Sequence, residues 1–567
     1  MFPSPRTNPT EWTAKRRGRI AAAVLVVCLA VIVGRLFQLQ IVQHASWSAA
    51  AAAIQERTIE LPPRRGSIVD RDGQLLAFDV KAMAIAVDGI NANQPDVLAQ
   101  ILAEELRIAM GEVSNLVHRA SYFTWVDRRV DIETAQRIER RADEASAYGL
   151  VFIDTWKRCY PQGSLASNVI GFVGTDGEGL EGIELAFDEQ LRGEPRRFHV
   201  LEGADGRAYE VEILEEGRPG RDLVLTLDAE LQFICEEEIE AGVSKYRADG
   251  GMIVVLDPRT GDVLAMAQDK TYDLNRFQVS TADARRNLAV TQLFEPGSIF
   301  KVFTGLAALD AGVVSVGDTF NGDDGIEVAG HVMHNSEHDS YGTVTFAQII
   351  EDSINTGMIR VAQRLGEEPF HTMLVDLGFG QLTGIELPGE VAGILRDVEN
   401  WSGLALASTS IGQSVAVTGI QLARGMAAVA NGGILVAPHV VDADGGRDEG
   451  DVLQVVASSN ACATMRRLMV KVVESGTGTL AALDGFAIAG KTGTAQKAVP
   501  GQGYVDGKYT SLFAGILTSE NPDYVVLVVL DEVKTTPVWG GYTAGQIFRE
   551  TASRLVHQER FVPTVAY

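Results

Sequence analysis

The segment FEPGSIFKVFTGLAALDAG (Phe294–Gly312) places Ser298 and Lys301 three residues apart, just after a Pro-Gly break. On a helix, residues at i and i+3 are neighbours, so this hydroxyl and this amine can meet. A serine is a poor nucleophile until a base takes its proton. Lysine can be that base when burial and a nearby positive charge lower its pKa toward the working pH. The start of a helix also favours negative charge, and the Ser298 N–H can face a developing oxyanion. Most Ser-x-x-Lys pairs are solvated surface pairs. Here Lys301 is the only lysine with a serine three residues before it. Its helix also carries an apolar face of Ile299, Val302, Phe303, Leu306 and Leu309 at helical spacing.

Two later segments offer matching chemistry. EDSINTGMIRVAQRLG contains Ser353 and Asn355. The serine can extend a proton relay and the carboxamide can bind a substrate amide, although both are also favoured helix caps. A second Ser-x-Asn, Ser458 to Asn460, is set aside because it follows a polar turn and precedes an exposed-looking helix. AGKTGTAQK then supplies Lys491 as a cation for a carboxylate, Thr492 as a hydroxyl, and Gly493 as room along a strand edge. The Thr494 N–H can be a second oxyanion donor. A lone Lys-Thr-Gly is usually a strand end; the ordered set of three is far more specific.

The elements that must position these residues alternate in kind. GGMIVVLDPRTGDVLAMAQ (250–268) reads as two strands joined at Pro258 to Asp262. Residues 285 to 480 are mainly helical. GFAIAGKTGTAQ and SLFAGILTSENPDYVVLVVLDE give three more strands, the last pair turning at Asn521-Pro522, and TAGQIFRETASRLVHQ gives a closing amphipathic helix. Strands from both ends of the region therefore form one mostly antiparallel sheet with helices on its faces, an α+β domain. Upstream, RDLVLTLDAELQ reads as a strand leading into a helix. IVDRDGQLLA reads as a hairpin at Asp72-Gly73, and residues 95 to 148 as helical. GTDGEGLEGIE is a glycine-rich connection. No internal repeat is present.

At 567 residues the chain is too long for one core. A net charge of −26 argues against a nucleic-acid partner, which needs a basic face. The first nineteen residues are nevertheless basic and lead into IAAAVLVVCLAVIVG (Ile20–Gly34). With Leu36 and Phe37 this run is long enough to cross a bilayer, with Arg35 snorkelling and the N-terminus cytoplasmic. It reads as an uncleaved anchor, because the small residues of SAAAAA lie too far beyond it for a signal-peptidase site. The alanine-rich stretch reads as a helix running on to Pro62 and Pro63. Cys28 falls in the span, and Cys159, Cys235 and Cys462 read as buried, inert thiols. The cysteines and the nine histidines show no metal-ligand spacing.

Ser-x-x-Lys, Ser-x-Asn and Lys-Thr-Gly form the set found in serine β-lactamases and penicillin-binding proteins. The chain resembles the class B penicillin-binding proteins, the monofunctional peptidoglycan D,D-transpeptidases. RRGSIVDRDGQLLA and GLEGIELAFDEQLRGE look like their pedestal motifs. GIELPGE and IGQSVAVTGIQLARGMAAVANGG look like their transpeptidase landmarks. FEPGS, KTGTAQK and GGYTAGQIF look most like the septal, FtsI-type enzyme. Ile299 and Gln546 depart from the Thr and Pro common there.

The resemblance implies a cytoplasmic tail (1–19), an anchor (20–40), a pedestal or dimerisation domain (41–220) and a transpeptidase domain (221–567) lying outside the membrane. It implies Ser298 as nucleophile, Lys301 as base and Ser353 as proton relay. Asn355, Lys491, Thr492, Gly493 and Thr494 would bind substrate, and neither cofactor nor metal is implied. The implied partners are peptidoglycan stem peptides on the lipid-linked precursor polymer, a membrane glycosyltransferase of the FtsW/RodA type, and other division proteins, with β-lactams as inhibitors. Rival readings are an elongation-type transpeptidase, a penicillin-responsive sensor, and a non-catalytic division scaffold. Nineteen cytoplasmic residues are too few for a sensor's signalling portion, and three complete motifs disfavour a scaffold.

Overall fold

The computed structural model describes residues 9–48, 56–89, 91–119, 123–202, 208–442, 452–499, 503–518 and 522–558. The chain divides into two units, one of Met1–Pro63 with Glu194–Arg218, the other of Arg64–Gly193 with Pro219–Tyr567.

In the first unit a helix over Pro9–Phe37 runs into a wider π-helical turn over Gln38–Val42. Across the two, Arg16–Val42 contains an 18-residue window of mean hydropathy 2.7 with no buried residue, which makes it long and apolar enough to cross a membrane. Residues 49–55 lie outside the described set. Glu56–Leu61, expected as helix up to Pro62, is instead a strand, paired antiparallel with Arg196–Glu202, which pairs in turn with Ala208–Glu215. Its Thr58-Ile59 pair suits a pleated strand better than a helix.

In the second unit, helix α1 (Ala229–Tyr246) is capped by Asp228, whose carboxylate accepts from the Glu230 and Leu231 N–H groups. Strands β1 (Gly250–Leu256) and β2 (Val263–Gln268) follow, buried along their whole length. The helical insert contains α2 (Lys301–Asp310), α3 (Asn355–Leu365), α4 (Gly419–Ala430) and α5 (Ser459–Glu474). The chain returns through β3 (Ala489–Val499), β4 (Gly503–Leu517), β5 (Tyr524–Asp531) and α6 (Ala544–Gln558). The sheet order is β2-β1-β5-β4-β3, antiparallel throughout.

The apolar runs of β1 and β5 are explained by cover on both faces. Ile253, Val255, Val526 and Val528 pack with Leu231, Ile547 and Phe548 of α1 and α6. Met252, Val254, Leu527 and Val529 face the insert, in one core with Phe300, Ile420 and Met465. Strand β3 is left at the edge of the sheet, where the outward-facing backbone groups of a strand can pair with another extended chain. The expected turn at Asn521 lies outside the described residues.

Leu223–Val224 does not join this sheet; it pairs in parallel with Ile68–Val69. The hairpin at Asp72-Gly73 is present, with Asp70 accepting from the Asp72 and Gln74 N–H groups. Residues 95 to 148 are not all helical. Phe123–Asp131 is a strand on one edge of Leu75–Asp88, whose other edge holds Leu150–Cys159.

The motifs RRGSIV and GLEGIE meet in a buried ionic network. Arg65 Nε and Arg158 Nε donate to the two oxygens of Glu184, at 2.6 and 2.7 Å, and the Tyr160 hydroxyl adds a third bond at 3.1 Å. Cys235 and Cys462 are buried free thiols and Cys159 is half-buried. Burial pushes the Cys462 thiol up to about 12 and Cys235 also upward.

Candidate active site

Ser298 does not open an α-helix, as the sequence suggested, but sits in a 3₁₀ turn over Gly297–Phe300; α2 begins at Lys301. In a 3₁₀ turn residues i and i+3 eclipse, which aligns Ser298 with Lys301. Gly297 makes the turn possible, with φ +54° and an N–H that donates to Gly412 O at 3.1 Å. The turn lies against β3, close enough that a Cβ on Gly297 would stand 3.0 Å from Thr494 O. The Ser298 side chain is half-buried, and no hydrogen bond joins it to Lys301 or another side chain among the described residues.

Lys301 is fully buried, flanked in sequence by Phe300 and Phe303, which pack with Phe379 at ring distances of 4.9 and 5.1 Å. Its amine donates to the Ser353 carbonyl, to Asn355 Oδ1 at 2.6 Å and to Ser353 Oγ at 3.2 Å. Burial, and then the charge of nearby Lys491, hold its pKa well below the ordinary lysine value.

Ser353 adopts φ +59°, a left-handed conformation that costs a non-glycine residue about 1–2 kcal/mol. Strain of this kind collects at functional sites. Neither Ser353 nor Asn355 caps a helix: Ile354 stands at the N-cap of α3 and no side chain fills the role. Asn355 instead bridges, accepting from Lys301 and donating through Nδ2 to His334 O at 2.9 Å.

Lys491, also fully buried, reaches the same centre from β3, donating to Ser353 Oγ at 2.8 Å and to Thr492 O at 3.3 Å. Burial brings its pKa down to about 7. Gly493 lies over the serine turn, its Cβ position 3.0 Å from Pro296 O and 3.1 Å from Ile299 Cγ1. Thr494 Oγ1 accepts from the Gly540 N–H at 3.0 Å.

The structure thus brings Lys301, Ser353, Asn355 and Lys491 into one hydrogen-bonded cluster and lays the Ser298 turn along the strand holding Gly493 and Thr494. Thr492 faces a neighbour that sequence reasoning missed: its hydroxyl shares a hydrogen bond of 2.8 Å with the Thr477 hydroxyl. Gly540 was missed as well. A Cβ there would meet Gly493 O at 2.3 Å and Leu512 O at 2.4 Å, so only glycine lets this loop close on β3. Both lie in Thr/Gly-rich runs, SGTGT and WGGYTAG, which carried the only available signal.

The rejected Ser-x-Asn at 458–460 is elsewhere, and Ser458 caps α5 by accepting from the Ala461 N–H. That helix is not exposed as expected, since Ala461, Cys462, Met465, Leu468 and Met469 bury one face.

Comparison with known proteins identifies the family of the chain. Residues 251–553 match the family described as Penicillin binding protein transpeptidase domain, and residues 60–225 match the Penicillin-binding Protein dimerisation domain. PbpB of Mycobacterium tuberculosis is 33% identical over 96% of this chain and 85% of its own length. The probable peptidoglycan D,D-transpeptidase PenA of Neisseria gonorrhoeae is 32% identical over 96% and 94%. Among solved structures, the aztreonam complex of penicillin-binding protein 3 from Mycobacterium tuberculosis superposes with a TM-score of 0.69. It is 30% identical and covers 89% of this chain and 99% of that one. The chain belongs to the class B penicillin-binding proteins.

Proposed function

We propose that this protein is a peptidoglycan D,D-transpeptidase working through a Ser298 acyl-enzyme, and that its setting is septal wall synthesis. The observation that supports it most is the convergence of Lys301, Ser353, Asn355 and Lys491 beside the Ser298 turn. As a neutral amine, Lys301 has two N–H donors and one lone pair. Charged, the amine serves the Ser353 carbonyl, Asn355 Oδ1 and Ser353 Oγ with three N–H groups. Neutral, it keeps the two shorter bonds and gives up the 3.2 Å one to Ser353 Oγ, where its lone pair can take a hydroxyl proton.

The Ser298 oxygen then attacks the carbonyl of the penultimate D-Ala of a stem peptide. The Ser298 and Thr494 N–H groups hold the oxyanion, and Lys491 and Thr492 hold the terminal carboxylate. As the C–N bond breaks, Ser353 passes a proton to the departing D-Ala amine. An amine of a second stem attacks the ester, releases Ser298 and forms the cross-link. β-Lactams would acylate the same serine; the relative from Mycobacterium tuberculosis is described in complex with aztreonam.

The family matches at 60–225 and 251–553 support a pedestal ahead of a transpeptidase domain divided near residue 220. The apolar helix supports a single-pass anchor with the N-terminus in the cytoplasm. Acting on precursor polymer outside the membrane, the protein would work beside a glycosyltransferase of the FtsW/RodA type and other division proteins. The septal reading rests on FEPGS, KTGTAQK and GGYTAGQIF.

Fluorescent-penicillin labelling of the wild type and Ser298→Ala tests the chemistry. The wild type labels covalently and the variant does not; failure of the wild type beside a labelling control removes the enzymatic reading. Depletion tests the setting: filaments support division, rounded cells elongation.

A further inference from the structure

Beside the catalytic cluster, three donor atoms converge that play no part in the proposed reaction. His334 Nδ1 and His338 Nδ1 lie 2.9 and 3.0 Å from Asp324 Oδ2 and 3.2 Å from each other. Two imidazole protons cannot satisfy three mutual contacts. If both Nδ1 atoms carry hydrogen, they face one another donor to donor. If one does not, its lone pair is left facing the lone pairs of the carboxylate oxygen. A cation at the centre turns all three lone pairs into bonds.

The spacing also suits a particular cation. Zinc bound at 2.0–2.1 Å in a tetrahedron has ligand-to-ligand edges of about 3.3 Å, close to all three separations. Two imidazoles and one carboxylate are a zinc-type donor set; calcium and magnesium take oxygen ligands.

The surroundings fix these donors in place. The second carboxylate oxygen of Asp324 accepts from the Asn335 N–H at 2.7 Å, which orients Oδ2 toward the histidines. Buried Asn335 ties the loop down by donating to Gly322 O and Asp339 O and accepting from the Thr356 N–H of α3. Glu337 and His338 both have positive φ, 56° and 61°, folding His338 back over Asp324. His338 is 69% exposed, so solvent can supply a fourth ligand.

We propose that Asp324, His334 and His338 form a zinc site that locks the 322–342 loop against the Ser-x-Asn motif. The carbonyl of His334 accepts from Asn355 Nδ2, and Asn355 Oδ1 accepts from Lys301. The metal therefore braces the bridge that holds the lysine without touching the reacting atoms. This revises the sequence expectation that the histidines show no metal-ligand spacing: His334 and His338 stand four residues apart in HNSEH, and the third ligand comes from a preceding strand-turn segment.

The test uses full-length protein in detergent, stripped with chelator and titrated with zinc chloride. Bound metal is counted by mass spectrometry, and tetrahedral geometry is read from visible absorption after cobalt substitution. The wild type takes up one equivalent and gains thermal stability. His338→Gln and Asp324→Asn weaken binding on the order of 100-fold or more, since outer partners alone are worth 10–100-fold, while both still label with penicillin, which shows that they fold. No saturable uptake by the wild type, or equal uptake by both variants, overturns the proposal.

Discussion

Lys301 and Lys491 donate to a single acceptor, the Ser353 hydroxyl, from 3.2 and 2.8 Å. Their nitrogens are therefore within about 6 Å, where two unit charges repel by about 3 kcal/mol at an effective dielectric of 20. With both side chains buried, the pair is most stable with at least one amine neutral, and Lys301 is pushed down by burial and by the Lys491 charge. A neutral Lys301 is what the proposed acylation needs, so its rate falls as pH drops through that pKa. Removing the neighbouring charge raises the Lys301 pKa. Lys491→Gln is therefore expected to move the acidic limb of penicillin acylation to higher pH, besides lowering the rate. Lys301→Ala lowers the rate by about 10²–10⁴. Second-order acylation constants across the acid and neutral range check both, and an unshifted limb in Lys491→Gln removes the coupling.

Ser353 separates strain from function. At φ +59° glycine is tolerated where alanine is not, so Ser353→Gly should be more stable than Ser353→Ala by about 1 kcal/mol. Both lose the hydroxyl that receives the two lysines, so both should acylate slowly. Thermal melts and labelling rates on the same samples decide it. Equal melts mean that the left-handed backbone relaxes on substitution.

Away from the cleft, Glu184 holds Arg65, Arg158 and Tyr160 in a buried network. Removing one partner of a buried ion pair costs about 3–5 kcal/mol because the remaining charges stay desolvated. Glu184→Gln is expected to lose that much in denaturant unfolding. A loss below about 1 kcal/mol, the range of exposed pairs, would show that water reaches the arginines.

The parts of the site legible in the sequence are those whose spacing is local. Ser298 with Lys301, and Lys491 through Thr494, each lie on one short element, so residue type and pattern point to them. The Thr477–Thr492 bond, the fit of Gly540 over β3 and the left-handed Ser353 arise where distant segments meet, and no periodicity encodes them. Strands were legible where they are buried on both faces, as in β1 and β5. FTWVDRRVD, inside the stretch expected to be helical, is a strand whose alternation Asp127, Arg128 and Arg129 interrupt, which an edge strand tolerates. His334 and His338 stand in view in HNSEH, but a turn, not a helix, brings them to Asp324.

Gly297 tests whether contact between the serine turn and β3 sets the rate. Alanine there faces two obstacles, a left-handed φ of +54° and the Thr494 carbonyl 3.0 Å from the new Cβ. The first costs about 1–2 kcal/mol in stability. The second drives the turn off the strand, and a displacement of about 1 Å at a reacting group costs on the order of 10² in rate. Gly297→Ala should therefore stay folded, with a melting temperature only a few degrees lower, roughly 2–4 °C for each kcal/mol in a domain of this size. Its acylation should fall far more than that stability loss explains. Wild-type acylation would mean that the turn and strand are positioned independently, and Ser298 would then owe its place to the Gly412 contact on its other side.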